Sequence, residues 1–246
     1  MWLECLKVYD VNFSKVRVGN ASDGGYILND EILKCAEKLV SIGIGYDDGF
    51  ELDWVDKFPD STIEMYDGTY PCNNICNKYP EKINRNIFYY HKNVGNKPDQ
   101  INLSSIINKD NKKTLLKIDI EGGEYEIFDS ITIGNNIIGL TLEVHDLYMP
   151  INQNKLYQII NNNFQNMILF HIHGNAHGNS FELEYVNSSN EKIILPNFPH
   201  VIELSFINKN IVGNYGLETN TFPVLGLDAS NKEDSPDIDL YWVNKV

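Results

Sequence analysis

Positive charge is scarce in this chain. Only 20 Lys and Arg face 34 Asp and Glu across 246 residues, giving a formal net charge of −14. Affinity for nucleic acids comes mostly from Lys and Arg neutralising phosphates, so this balance excludes a general nucleic-acid binder. It also keeps the chain off anionic membranes. Long apolar runs are missing too. No segment approaches the ~18 apolar residues of a membrane span, and the opening MWLECLKVYD has neither a basic start nor a long apolar run. No signal peptide is expected, and the expected location is the cytoplasm. Cysteine is equally thin: four scattered residues are too few for a disulfide framework. Cys72 and Cys76 could reach each other on a helix, but no second pair completes a zinc quartet. Internal repeats and Pro/Ser-rich linkers are absent, so one domain over 1–246 is expected, with a cap segment (1–38), a core (39–208) and an irregular tail (209–246).

What the chain does hold is an alternation of short apolar runs and helical patterns. Strands are expected at 15–18, in YIL, in KLVSI, in STIEMY and in NIFYY, then in TLLKIDI, NNIIGLTLEV, MILFHIH and HVIELSFI. Helices are expected at 31–38 with Asp30 as N-cap, behind Phe50, Trp54, Val55 and Phe58 on one face, in EYEIFDSI, and at 154–162. Strands alternating with helices predict an α/β fold, a mostly parallel sheet buried on both faces. Polar residues recur where these strands end: Asp67; Asp119 with Glu121; Glu143 with His145; His171 with His173. Ligands of open α/β sheets bind at the carboxyl edge. Four such ends in succession predict a site there.

In SIGIGYDDG, Gly43 and Gly45 follow a strand and precede a helix. That arrangement lets backbone approach a cofactor and aims helix N–H groups at it, although a tight turn uses the same glycines. Asp47 and Asp48 disfavour a pyrophosphate and suit a cationic or neutral ligand, which weighs against NAD. Asp67, about twenty residues on, can accept both hydroxyls of a ribose. S-adenosylmethionine, an adenosine with a sulfonium and no phosphate, meets those constraints.

The stretch LLKIDIEGGEYEIF, with a strand ending in a Lys-Ile-Asp-x-Glu-Gly-x-Glu run, resembles the signature of the FkbM-type family of S-adenosylmethionine-dependent methyltransferases. RVGNASDGGYIL, VSIGIGYDDGFELDW and LEVHD are also similar to bacterial members, over about residues 17–207. The resemblance implies a Rossmann-like sheet with an antiparallel last strand, for which HVIELSFI is suited. It implies O-methylation of a sugar or other small metabolite, as in capsular or other cell-surface polysaccharide pathways. It further implies that Gly43, Gly45 and Asp67 hold the cofactor, with the Asp23–Tyr26 turn folding over it and Asp23 in contact. Ser41 stands where many methyltransferases of this class have an acid, and Asp47 replaces a third glycine.

Methyl transfer from a sulfonium needs alignment and removal of the acceptor's proton. His145, with Asp119 and Glu121 beside it, is the expected catalytic group. Asp119 and Glu143 end neighbouring strands, and two carboxylates at that distance repel unless one is protonated or a cation joins them. Mg²⁺ or Mn²⁺ with Asp119, Glu143 and His173 as ligands is therefore expected alongside a metal-free route through His145. Glu124 reads as a helix-start acid. Two other functions stay open: a non-catalytic cofactor-binding or partner subunit, and transfer to a nitrogen or phosphate-linked acceptor. A homo-oligomer is likewise left open.

Overall fold

Runs such as KLVSI (38–42) and TLLKI (114–118) are buried along their whole length, which demands cover on both faces of their sheet. The computed structural model supplies it, describing residues 2–72, 74–128, 131–186 and 190–245. Among these the N-terminal half runs β1 (Tyr9–Asp10), β2 (Lys15–Gly19), β3 (Gly25–Asn29), α1 (Asp30–Cys35), β4 (Lys38–Ile42), α2 (Gly49–Lys57), β5 (Thr62–Tyr66), α3 (Asn74–Lys78), β6 (Ile87–Tyr90) and α4 (Leu103–Ile107). There follow β7 (Thr114–Ile118), α5 (Glu124–Ile127), β8 (Ile137–Val144), α6 (Pro150–Asn163), β9 (Met167–Gly174), β10 (Ser180–Val186), β11 (Lys192–Pro199), β12 (Ile202–Asn208) and β13 (Gly216–Leu217).

Seven strands form the central sheet in the order β6-β5-β4-β7-β8-β12-β9. The pairs β4–β5, β4–β7, β5–β6 and β7–β8 are parallel, and β12 runs antiparallel to both its neighbours. This is the expected mostly parallel sheet with an antiparallel last strand. Side chains alternate between its faces. Leu39, Leu115 and Ile138 pack with Phe50 and Trp54 of α2, whereas Val40, Leu116 and Leu140 pack with Leu156 and Ile159 of α6. Fully burying each such side chain contributes about 1.5–3 kcal/mol. Three small antiparallel pairs, β1–β13, β2–β3 and β10–β11, lie outside the sheet.

Local boundaries shift for identifiable reasons. Asn29, not Asp30, caps α1: it is extended and its Oδ1 accepts from Ile32 N at 2.8 Å, while Asp30 pairs with Lys34 one turn on. That helix stops at Cys35 because Lys38 already belongs to β4. Of the helix expected in EYEIFDSI, positions 129–130 lie outside the described residues. α6 starts earlier than expected, at Pro150, where the missing N–H costs nothing. Cys72 and Cys76 form one disulfide across a Cα separation of 5.8 Å, joining α3 to the segment before it.

The last thirty residues have almost no regular structure yet are fastened at several points. Glu218 accepts from Lys15 Nζ at 2.9 Å, Asp228 meets His171 Nε2 at 2.8 Å, and Asp237 meets His173 Nε2 at 2.9 Å. Asn231 donates to Glu203 Oε1 at 2.6 Å and to Asp23 Oδ1 at 3.2 Å.

Candidate active site

A cleft of about 880 Å³ opens along the carboxyl edge of β4, β5, β7 and β8. Its first wall is the turn after β4. Gly43 and Gly45 have φ of +78° and +67°, a region that side chains with a Cβ disfavour. A Cβ at Gly43 would collide with the carbonyl oxygen of Asp119, whereas one at Gly45 would meet nothing within 4 Å. The turn is thus pressed onto β7 at one glycine and opens toward the cleft at the other. Lys117, buried on β7, donates to Gly43 O at 2.7 Å and stands 3.6 Å from Glu51 Oε1. Glu51 in turn accepts from Ser41 Oγ. Burial alone would lower the Lys117 pKa, but Glu51, Asp119 and Glu143 outweigh it, and the ammonium is held above its ordinary value.

Asp67, just past β5, braces the same turn. Its Oδ2 accepts from Ile44 N at 3.0 Å and Gly45 N at 2.8 Å; its Oδ1 accepts from Thr69 N at 2.7 Å and Tyr70 N at 2.8 Å. Burial raises its pKa and these four N–H groups together lower it by more, so the net direction is down. A carboxylate has about four acceptor positions. All are taken, so a ribose hydroxyl would have to displace an amide. Asp47 and Asp48 are also engaged within the protein: Asp47 accepts from Asn20 and Gly49 N, and Asp48 from Asn74 and Ile75 N at the start of α3.

The second wall carries the acids. Asp119 follows β7; Glu143 lies at the end of β8, its parallel neighbour, and His145 directly follows that strand. His145 Nε2 lies 3.8 Å from Asp119 Oδ1, 3.5 Å from Glu121 Oε2 and 3.7 Å from Glu143 Oε1, while Nδ1 is 3.1 Å from Glu124 Oε1. Glu124 also accepts from the backbone N–H groups of Gly122 and His145, so it fixes the imidazole by one nitrogen and turns the other into the cleft. Asp119, Glu121 and His145 can bring one ligand atom each within 4.8 Å of one another. Burial lowers the His145 pKa but Glu124 and then the other acids raise it more, to about 9. Burial pushes Asp119 up, and pushes Glu143 well up with help from Asp119 and Glu203. The Tyr26 hydroxyl, from β3, is 2.9 Å from Glu143 Oε2 and 3.3 Å from Asp119 Oδ2.

Residues 34–181 match the family described as the Methyltransferase FkbM domain. The chain belongs to this FkbM methyltransferase family. It is accordingly an S-adenosylmethionine-dependent methyltransferase. No curated protein matches the chain. Two solved methyltransferase structures align distantly. Precorrin-6y C5,15-methyltransferase from Geobacter metallireducens is 10% identical, with 72% of this chain and 85% of that chain covered and a TM-score of 0.38. A variant of the 16S rRNA (adenine(1408)-N(1))-methyltransferase from Catenulisporales acidiphilia is 11% identical, with 78% and 97% covered and a TM-score of 0.34.

The residues of this FkbM methyltransferase fit its cofactor on the evidence of the turn: Gly45 opens onto the cleft, and the exposed rings of Tyr46 and Tyr70 flank it in edge contact at 6.2 Å. Of the residues singled out from sequence, Asp23, Gly43, Gly45, Asp67, Asp119, Glu121, Glu143 and His145 all line this one cleft. His173 does not join them. Its Nδ1 is 3.1 Å from Glu203 Oε2 and its Nε2 is 2.9 Å from Asp237 Oδ1, so both ring nitrogens are engaged elsewhere. The reason is topological. β12 lies between β8 and β9, with Glu203 opposite both Glu143 and His173, so two strand spacings, roughly 10 Å in all, intervene. Sequence reasoning missed Tyr26, Lys117 and Asn175, whose Nδ2 donates to Glu143 Oε1 at 2.9 Å. The tyrosine in DGGY and the asparagine after HIHG are adjacent to noted motifs, but nothing local links either to residue 143.

Proposed function

We propose that this methyltransferase acts on a hydroxyl of a small polyhydroxylated acceptor, a sugar or sugar derivative of a cell-surface polysaccharide such as a capsule, and that a divalent cation, Mg²⁺ or Mn²⁺, assists it. The cation's ligands are Asp119, Glu121 and His145, with Glu143 adjoining. One observation carries the reading: His145 Nε2 is ringed by three carboxylate oxygens at 3.5–3.8 Å, too far for hydrogen bonds. Ligands about 2.1 Å from an octahedral ion stand roughly 3 Å apart when cis and about 4.2 Å when trans, which brackets those spacings.

Bound in the cleft, S-adenosylmethionine supplies a methyl group on a positively charged sulfur, and a cation at the acids supplies Lewis-acid stabilisation of a developing alkoxide. The protein's own part is positional. Gly43, Gly45 and the amides that Asp67 braces form the cofactor wall. Glu124 holds the His145 ring so that Nε2 faces the acceptor's side, and Tyr26 and Asn175 fix the two oxygens of Glu143. A hydroxyl is a poor nucleophile near neutrality, and an acid-lined cleft suits an uncharged polyol better than a phosphate.

The test is mass spectrometry of sugar intermediates incubated with cofactor, with and without EDTA. A gain of one methyl group that disappears in chelator and returns with Mg²⁺ or Mn²⁺ is expected. Transfer undiminished in excess chelator favours the second reading, in which His145 itself takes the hydroxyl proton. The Nδ1 contact to Glu124 leaves Nε2 directed at the cleft but also holds the imidazole up at about 9, so this route needs the deprotonated ring and should quicken as pH rises toward that value.

A further inference from the structure

A second cavity of about 450 Å³ lies beside the transfer cleft, between the tail and the β10–β11 hairpin. Gly178 lines both cavities, so the two are contiguous at that residue. A Cβ there would stand 3.1 Å from Val201 Cγ2 and 3.4 Å from His200 Cβ, leaving no room for a side chain at the junction without displacing a neighbour. The cavity's volume falls within the ~300–1,000 Å³ of sites that take small ligands.

The floor of this cavity is held rigidly although it lies on irregular chain. Asp237 is tied to His173 on the sheet at 2.9 Å and accepts from Ile238 N at 2.9 Å. Ile238 and Leu240 then pack against Gly174, and Leu240 N donates to Phe222 O at 2.9 Å. On this floor Tyr241 keeps 37% of its surface exposed. Asp239 from the tail and Asn197 and Ser180 from the hairpin, all exposed, surround the same space. An exposed aromatic face packs against the C–H face of a sugar ring, and carboxylate, amide and hydroxyl groups pair with its hydroxyls. Of the charged groups at the rim, Asp239 opposes an anionic group and Lys232 offsets it, while Asp237 is already paired with His173, so the space carries little net charge and suits a neutral ligand.

We propose that this cavity is an acceptor subsite for a neutral sugar residue next to the one methylated, so that the enzyme acts on an oligosaccharide rather than a free monosaccharide. The inference rests on the sugar-hydroxyl reading above. It assigns the tail a role in substrate selection: the segment 232–241 is one wall of the subsite, and the hairpin that the sheet does not need is the other.

The test uses the full-length protein with Mg²⁺, isotopically labelled S-adenosylmethionine and a partial hydrolysate of surface glycan from the cells that make the protein, fractionated by size from one sugar upward. Label should enter neutral fragments of two or more sugars at least about tenfold more efficiently than monosaccharides, a factor typical of one lost set of contacts. Tyr241→Ala, which empties the platform, and Asp239→Ala, which removes a carboxylate from the tail wall, should each remove most of that preference and leave monosaccharide transfer unchanged. Equal labelling of monosaccharides and longer fragments by the unaltered protein overturns the subsite and leaves the proposed function standing. So does a length preference that survives both substitutions, or one confined to anionic fragments. No labelling of any fraction overturns the subsite and the sugar reading together.

Discussion

The carboxylate of Asp67 offers the sharpest quantitative test, because its replacement by an amide changes charge and one acceptor while keeping shape. In the native protein its two oxygens accept four backbone N–H bonds, two from the glycine turn and two from the turn after β5. After Asp67→Asn the side chain can present only one oxygen. The other pair of N–H groups would face an NH₂ donor, losing two charge-assisted bonds of about 1.5–3 kcal/mol each. The site is partly open to the cleft, so water recovers some of this, and we expect about 2–4 kcal/mol of destabilisation. At ~2–4 °C per kcal/mol for a chain of this size, Tm should fall by roughly 4–16 °C without cofactor present. The pH dependence follows from the depressed pKa. The contribution is complete above the unfolded value of about 3.9 and is lost as pH falls through the lower folded value. Thermal unfolding of Asp67→Asn and the parent protein from pH 7 to pH 2.5 would read both quantities, with the two curves converging at the acid end. A variant whose Tm matches the parent at pH 7, yet whose cofactor affinity drops, would refute the bracing role and return Asp67 to ribose binding alone.

Three further perturbations test other parts of the site. Tyr26→Phe removes the donor shared by Glu143 and Asp119; steady-state assays should show a loss of about 10–100-fold in activity or cation affinity, as for outer-shell partners generally, and unaltered kinetics at all cation concentrations would count against it. Lys117→Met leaves Glu51 buried without its ion-pair partner and frees Gly43 O; urea unfolding should show a loss of about 3–5 kcal/mol, partly recovered when Glu51→Gln is added. His173 is held up at about 10, since Asp237 and Glu203 outweigh the downward push of burial. Its contribution is therefore full below the unfolded value of about 6.5 and lost as pH rises through about 10. Limited proteolysis within the tail should quicken over that interval, and a His173→Phe variant, cleaved readily at pH 7, should lose this dependence.

Most of the sheet was legible because its strands are buried on both faces and therefore read as unbroken apolar runs. β4, β7, β8, β9 and β12 have no exposed residue among them. The acids of the site were legible for a related reason: a charge directly after such a run can only lie at the sheet's edge. What escaped was held by contacts remote in sequence. In the β10–β11 hairpin SFELEYV alternates exposed and less exposed positions regularly, but KIILPNFP loses that alternation after Leu195 and carries Pro196, so the hairpin as a whole lacks a uniform signal. α3 and α4, at 5 residues each, are shorter than the window in which helical periodicity shows, whereas α5 falls within the EYEIFDSI expected as a helix. His173 stands apart from the acid cluster through strand order alone, since nothing in HIHGN says that β12 will come between it and Glu143. Tyr26 reaches across 117 positions to Glu143, and Asn231 across 208 to Asp23, distances at which a single sequence carries no trace.

The strand order also bears on how the chain is made. β12 is the last long strand of the sheet to leave the ribosome, yet it is an interior one. Until it arrives, β8 has an unpaired edge and β9 has no place to dock. Roughly sixty residues separate the end of β8 from the start of β12, or about 3–12 s of synthesis at ordinary rates. For that interval IIGLTLEV presents open N–H and C=O groups on an apolar strand, a template for pairing with a neighbouring nascent chain. A product terminated before residue 202 would accordingly aggregate rather than behave as a smaller enzyme. The late insertion of β12 makes the completed sheet, and with it the wall of Glu203 and His173 behind the cleft, conditional on nearly the whole chain having been translated.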